Sequence, residues 1–342
     1  MLFRLRTAVL STFLLATFLY LYSFTTHGQV ILVRLNQGLW SYDRAQWWDW
    51  RETEEEKFCR TAHDLDGKQP IPNVVHYILL SDEGAQYELN YATYLAIKSV
   101  LLRMKPTEVK IHYFNFNTSN KWWKEIEHLV TLVKLRREDI VVPHGYKLSD
   151  LALAHQSDVV RLAVLADEGG IYLDTDIYVF RSFKDLLTNP RDVILGHEGG
   201  NRYGLCNAVI LARAGSKFIS LWQDSYKTFS TDKWNEHSVL MPKLLQVQHK
   251  DLICPLSPPV FYWPFWESWN VEYMHEALTD DDEIALLRDE MDAWNGGMYE
   301  NQLAYHSWGG HAYLRELTPA LIQEKDSRFN ILLRHIAKTH LR

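Results

Sequence analysis

Cysteine is scarce in this chain. Only Cys59, Cys206 and Cys254 occur among 342 residues. None forms a closely spaced set, which excludes a cysteine-built metal module. The odd count leaves at least one thiol free or paired to another chain, and spacing does not choose the pair. An excess of positive charge is also lacking. Lys and Arg total 36 against 43 Asp and Glu, a formal net charge of -7. That balance offers no broad attraction to nucleic acid or an anionic membrane surface, so no nucleic-acid partner is expected. Internal repeats and low-complexity tracts are missing too, which leaves one or two ordinary globular domains. What the chain has in quantity is aromatic side chains, with 13 Trp and 18 Tyr. They serve as core mass, or line a groove that stacks on sugar or base rings.

Long apolar runs are confined to the N-terminus. Arg4 and Arg6 precede a stretch from Thr7 to Phe24 without a charge. It is long enough to cross a thin bilayer as a helix, with the short basic flank cytosolic. The small-x-small pattern of a cleaved signal is poor around Ser23 to Thr26. The expectation is therefore a retained signal anchor over residues 1–24, single-pass type II, with everything after it luminal. Residues 25–70 read as a stem without an assignable fold. The lumen permits a disulfide, and Asn117-Thr118-Ser119 is an N-glycosylation sequon.

From residue 71 the pattern alternates. "NVVHYILL" and "EVKIHYFNF" read as strands, and "YELNYATYLAIKSVLLRM" and "NKWWKEIEHLVTLVKL" as helices. "LSDLALAHQSDVVRLAVLADEGG" has strong helical spacing and stops at Gly169-Gly170. "IYLD", "DVILGHE" and "NAVILAR" read as further strands. Such alternation predicts an α/β domain over 71–320 with a mainly parallel sheet flanked by helices, followed by a basic tail at 321–342. Sites in such sheets lie beyond the carboxyl ends of strands. Asp174 and Asp176 fall there, where "IYLD" runs out.

Two residues apart on an extended chain, these carboxylates point to the same side and repel. A hard divalent cation, Mn²⁺ or Mg²⁺, relieves that repulsion and suits a diphosphate ligand. A solvated turn is the plain alternative. The preceding helix adds Asp158 and Arg161, which share a face three residues apart. In a largely apolar helix they need specific partners.

"AHQSDVVRLAVLADEGGIYLDTDIYVF" resembles the core of the DXD-motif glycosyltransferases with a GT-A, Rossmann-like fold. The resemblance is to the family that includes fungal initiating α-1,6-mannosyltransferases and animal α-1,4-galactosyl- and N-acetylglucosaminyltransferases. It covers about Ile71 to Phe183. Ser157, Asp158, Arg161, Gly169, Gly170, Tyr172, Asp174 and Asp176 stand in the signature. "IPNVVHYIL" resembles the opening strand, and the large clostridial glucosylating toxins share this core. The resemblance implies that Asp176 binds the metal directly, and that Asp174 touches the donor ribose and the metal shell. It implies that Asp158 and Arg161 hold donor-sugar hydroxyls and that Tyr172 lines the nucleotide side. His306 of "YHSWGG" would complete the metal shell, and Asn207 would lie near the reacting sugar. Leu79 stands where the toxins carry a base-stacking aromatic.

The implied reaction moves a sugar from a nucleotide diphosphate sugar to a glycan or glycolipid hydroxyl with an α-linkage, in a Golgi membrane. No unambiguous carboxylate nucleophile stands out, so attack on the face of departure is expected. Glu198 and Asp224 stay unassigned. Two rivals differ in class. One is a non-catalytic luminal protein that binds sugar nucleotides without turnover. The other is a haloacid-dehalogenase-like phosphatase with Asp174 as nucleophile, against which Tyr178 stands where Thr or Val is usual.

Overall fold

A computed structural model describes residues 2–39, 50–65, 67–309 and 312–341. Helices α1 (Leu2–Ser23), α2 (Thr26–Leu39) and α3 (Glu54–Thr61) precede the first strand. The strands of the main sheet are β1 (Val74–Leu79), β2 (Glu108–Tyr113), β3 (Thr131–Lys134), β4 (Gly170–Leu173), β6 (Val193–Glu198), β7 (Gly204–Ala212) and β8 (Ile253–Leu256). Their spatial order is β3-β2-β1-β4-β7-β6-β8. Only β7 runs against the others, pairing antiparallel with β4 and β6. The α/β class and the mainly parallel sheet are as expected, and the single reversal makes the sheet mixed. A two-stranded ribbon joins β5 (Ile177–Val179) to β9 (Ala304–His306).

Apolar side chains dominate β1, β4 and β7, whose residues are almost all buried, as strands covered on both faces must be. One face is covered by α4 (Tyr91–Arg103). Its Leu95 and Ile97 share a core with Tyr77, Tyr178 and Phe329. The other face is covered by α6 (Leu153–Asp167) and α7 (Lys217–Ser225), where Leu162, Leu165, Phe218 and Trp222 pack together.

Gly169 and Gly170 make the connection from α6 into β4 possible. Both have positive φ, +66° and +105°. A Cβ on Gly169 would lie 2.6 Å from the Ala214 nitrogen, and one on Gly170 2.7 Å from the Val74 carbonyl oxygen. Only glycine accepts both the backbone conformation and the close approach.

Several expectations change. "NKWWKEIEHLVTLVKL" is not one helix. It divides into α5 (Lys121–Lys124), a 3₁₀ turn at Glu127–Leu129 and β3. The β-branched "TLVK" pairs in parallel with β2, from Lys110↔Thr131 to Tyr113↔Lys134. A sheet partner distant in sequence thus overrides the local helical spacing. Part of the stem belongs to the domain. Thr53 and Glu56 form a capping box at the start of α3. Glu56 is buried against Arg202, 2.6 Å from its Nε. A disulfide joins Cys59 to Cys254 on β8, and Cys206 is free and buried. On α2, Asn36 and Gln37 donate to the carbonyls of Asn201 and Tyr203. Residues 40–49 of the stem lie outside the described residues.

The tail is likewise integral. Helices α9 (Ser268–His275), α10 (Asp281–Ala293), α11 (Ala312–Arg315) and α12 (Pro319–Glu324) lead into α13 (Arg328–Lys338). The last buries Phe329, Leu332, Leu333 and Ile336 in the main core. α8 (Met241–Gln248) completes the set.

The expected anchor folds as α1, a 22-residue helix. The side chains of residues 2–11 and 13, which include a third of the apolar run, lie outside the described set. Among the described residues no helix is long and apolar enough to cross a membrane. The membrane-spanning element of the expected fold is thus not borne out.

Candidate active site

Strands β4 and β6 end at the same edge of the sheet, and β7 begins there. A cavity of about 790 Å³ opens at that edge. Asp174 follows β4, and its backbone N–H donates to the Ala208 carbonyl of β7 at 2.8 Å. Asp176 precedes β5. Because β5 pairs with β9 in the register Ile177↔His306, the ribbon carries His306 back beside Asp176. His306 Nε2 lies 3.2 Å from Asp176 Oδ2. The backbone N–H of Gly309 also donates to that oxygen. Ligand atoms from Asp174, Asp176 and His306 all lie within 4.8 Å of one another.

Two carboxylates and an imidazole at this spacing form a donor set that fits a divalent cation. Without a cation, His306 answers Asp176. Burial opposes ionisation of Asp176, but the His306 charge, its hydrogen bond and the Gly309 N–H outweigh it and hold the carboxyl below its usual range. Burial likewise opposes protonation of His306, and Asp176, Asp174 and Glu198 outweigh it and raise the imidazole.

Behind the metal-ligand set stands a buried ionic network. Arg161, on α6, donates three hydrogen bonds and forms ion pairs with two carboxylates. Its Nε faces the Ser157 carbonyl at 3.3 Å. Nη1 faces the Asn207 carbonyl at 2.9 Å and Asp174 Oδ1 at 3.1 Å. Nη2 faces Ser157 Oγ at 3.1 Å and Asp158 Oδ1 at 3.2 Å. The guanidinium also stacks 4.3 Å above the Tyr172 ring. Burial works against the Arg161 charge, and Asp174, Tyr172 and Asp158 more than offset it, raising the guanidinium. Arg161 thus ties Asp158 to Asp174 while itself lining the cavity.

Asn207 Nδ2 donates to Asp158 Oδ1 at 2.7 Å. Asp158 Oδ2 has no hydrogen-bond partner among the described residues. Burial pushes the Asp158 carboxyl up, opposed by Arg161 and Asn207. Tyr172 donates its hydroxyl to Asp174 Oδ1 at 2.5 Å.

All seven candidate residues from the sequence (Asp158, Arg161, Tyr172, Asp174, Asp176, Asn207 and His306) line this one cavity. Leu79 is fully buried in the core, whereas its neighbours Ile78 and Leu80 line the cavity with Tyr87. Of the two unassigned acids, Glu198 also lines the cavity. Asp224 is exposed, paired with Lys227, and lies elsewhere. Sequence reading did not find the Gly309 N–H, or Trp234, which lines the cavity with Trp266 and Trp308. The "YHSWGG" segment carries two of these, yet only the β5–β9 pairing shows what they face.

Comparison with known proteins agrees with this geometry. Residues 68–198 match the family model described as a glycosyltransferase sugar-binding region containing the DXD motif. Glucan organizing enzyme 1 of Cryptococcus neoformans is 33% identical over 276 residues, covering 77% of this chain and 70% of that protein. Subversion of eukaryotic traffic protein A of Legionella pneumophila is 41% identical over 71 residues, which is 20% of this chain and 11% of that protein. Among solved structures, the galactosyltransferase LgtC with donor and acceptor sugar analogues aligns with a TM-score of 0.43 at 16% identity, over 79% of this chain and 96% of its own. By its motif and its match along most of a curated relative, the chain belongs to the DXD-motif glycosyltransferases.

Proposed function

We propose that this glycosyltransferase is metal-dependent, uses Mn²⁺ in preference to Mg²⁺, and moves a sugar from a nucleotide diphosphate sugar to a glycan hydroxyl with retention. One observation carries the reading: Asp174, Asp176 and His306 converge at the open end of the sheet, beside the buried Asp158–Arg161 pair. An imidazole among the ligands favours Mn²⁺ over the harder Mg²⁺. A cation held there would neutralise charge on the diphosphate leaving group.

The chain's own groups do the rest. Asp158 Oδ2 accepts a donor-sugar hydroxyl, with its carboxylate fixed by Arg161 and Asn207. Tyr172 and Arg161 fix the orientation of Asp174, so the site is arranged before the donor arrives. Ile78, Leu80 and Tyr87 give the cavity an apolar end for the base. Retention rests on the family resemblance. The name of the curated relative, a glucan organizing enzyme, favours a glycan over a glycolipid acceptor.

The proposal places the domain in the lumen of the Golgi. The Cys59–Cys254 disulfide supports an oxidising compartment, and the Asn117 sequon lies on a partly exposed turn. Protease protection of a tagged chain in sealed vesicles tests this placement.

The test of the activity is a panel of nucleotide sugars with Mn²⁺, read by nucleotide release. Turnover with one nucleotide sugar, lost with a chelator and restored by Mn²⁺, is expected. Chelator-resistant turnover, or binding without turnover across donors and acceptors, would refute the reading.

A further inference from the structure

One wall of the cavity carries two side chains to which the proposed function gives no role, Glu198 and Trp234. Glu198 ends β6 and is buried, yet it lines the cavity. Its Oε1 accepts from the Tyr203 hydroxyl at 2.5 Å. It forms no ion pair among the described residues, which is unusual for a buried carboxylate. In β-sheet register it faces Gly204, and a Cβ on Gly204 would overlap the Val239 side chain. Val239 in turn donates its N–H to the Asn235 carbonyl at 3.0 Å, next to Trp234. Glu198, Val239, Asn235 and Trp234 all line the cavity.

Trp234 is the second observation. Its side chain is 63% exposed although it lines the cavity. The residue is nevertheless held. Its carbonyl accepts from His155 Nε2 at 3.4 Å, and its ring lies 5.1 Å from the His155 imidazole. A fixed, solvent-facing indole presents a flat apolar surface that loses little freedom when a ligand covers it.

We infer that this wall is the acceptor subsite, with Trp234 stacking on the apolar face of a sugar ring and Glu198 accepting a hydrogen bond from one of its hydroxyls. The inference rests on the transfer reaction proposed above. It also defines the acceptor's charge class. A carboxylate facing the acceptor, with no ion-pair partner of its own among the described residues, disfavours acidic sugars and favours neutral ones. Glu198 is a hydrogen-bond acceptor in this scheme and forms no covalent bond to the sugar.

The test uses the full chain, the active nucleotide sugar and Mn²⁺, with maltotriose, laminaritriose, cellotriose and a glucuronate-terminated trisaccharide as acceptors. Transfer and donor hydrolysis are measured separately. Trp234→Ala should raise the KM for the best neutral acceptor by about tenfold, with Trp234→Phe losing less. Donor KM and hydrolysis should stay within twofold in both variants. Glu198→Gln should lower transfer relative to hydrolysis and relax discrimination against the acidic trisaccharide.

An unchanged acceptor KM in Trp234→Ala would overturn the inference. So would parallel loss of transfer and hydrolysis in a folded Glu198→Gln, a sugar adduct on Glu198 detected by mass spectrometry, or transfer only to the acidic trisaccharide. Absence of both transfer and donor hydrolysis in the wild type, across nucleotide sugars with Mn²⁺, would instead count against the proposed function itself.

Discussion

His306 Nε2 lies 3.2 Å from Asp176 Oδ2, although more than a hundred residues separate the two along the chain. The β5–β9 ribbon makes this contact, and it brings a third candidate metal donor to the Asp-x-Asp pair. His306→Ala should therefore behave like Asp176→Ala. Each should lower metal-dependent kcat by on the order of 10²–10³-fold while the fold survives. Circular dichroism and single-turnover kinetics would check both halves of that statement.

Arg161 is the keystone of the ionic network. Arg161→Ala would leave Asp158 and Asp174 without their cation, and removing one partner of a buried pair costs about 3–5 kcal/mol. Arg161→Lys keeps the charge but cannot face five acceptors at once. It should recover only part of the stability in urea titrations and little of the activity.

Between the neighbouring strands β1 and β2, His76 Nδ1 meets His112 Nε2 at 3.0 Å, and His112 Nδ1 is buried without a partner. Burial, reinforced by His76, lowers His112 to about 4, and burial lowers His76 as well. The folded state keeps both neutral, whereas the unfolded chain takes up protons near pH 6.5. Stability should be fully present above about pH 6.5 and fall as the pH drops toward 4, by about 3 kcal/mol for His112. Melting temperatures across that window should fall less steeply in His112→Gln than in the wild type.

The Cys59–Cys254 bond ties α3 to β8 across a sequence separation of 195. Its removal in Cys59→Ser/Cys254→Ser should cost about 2–5 kcal/mol. Reductant should lower the wild-type melting temperature and leave the double variant unchanged.

Much of the donor half of the site was legible in the sequence, because it is local. Ser157 to Asp176 is one helix, one turn and one strand, and 3.6- and 2-residue periodicities place its side chains relative to one another. The Gly169-Gly170 pair could be read as a helix stop, though not as the close contact with Val74 and Ala214 that demands glycine. The less legible parts depend on partners far away in sequence. "TLVK" became a strand because β2 was beside it. Glu56 and Cys59 looked like stem until Arg202 and Cys254 were seen to hold them. Glu198 was an acid without a role because only the fold sets it on the cavity floor with Trp234 above it.

Mn²⁺ binding followed by electron paramagnetic resonance, in parallel with nucleotide release, tests the central claim most directly. Wild type, Asp176→Asn and His306→Gln would be compared with the same nucleotide sugar. The three-ligand site predicts stoichiometric Mn²⁺ binding by the wild type, and joint loss of binding and turnover in both folded variants. Wild-type Mn²⁺ affinity and turnover in either variant would contradict it.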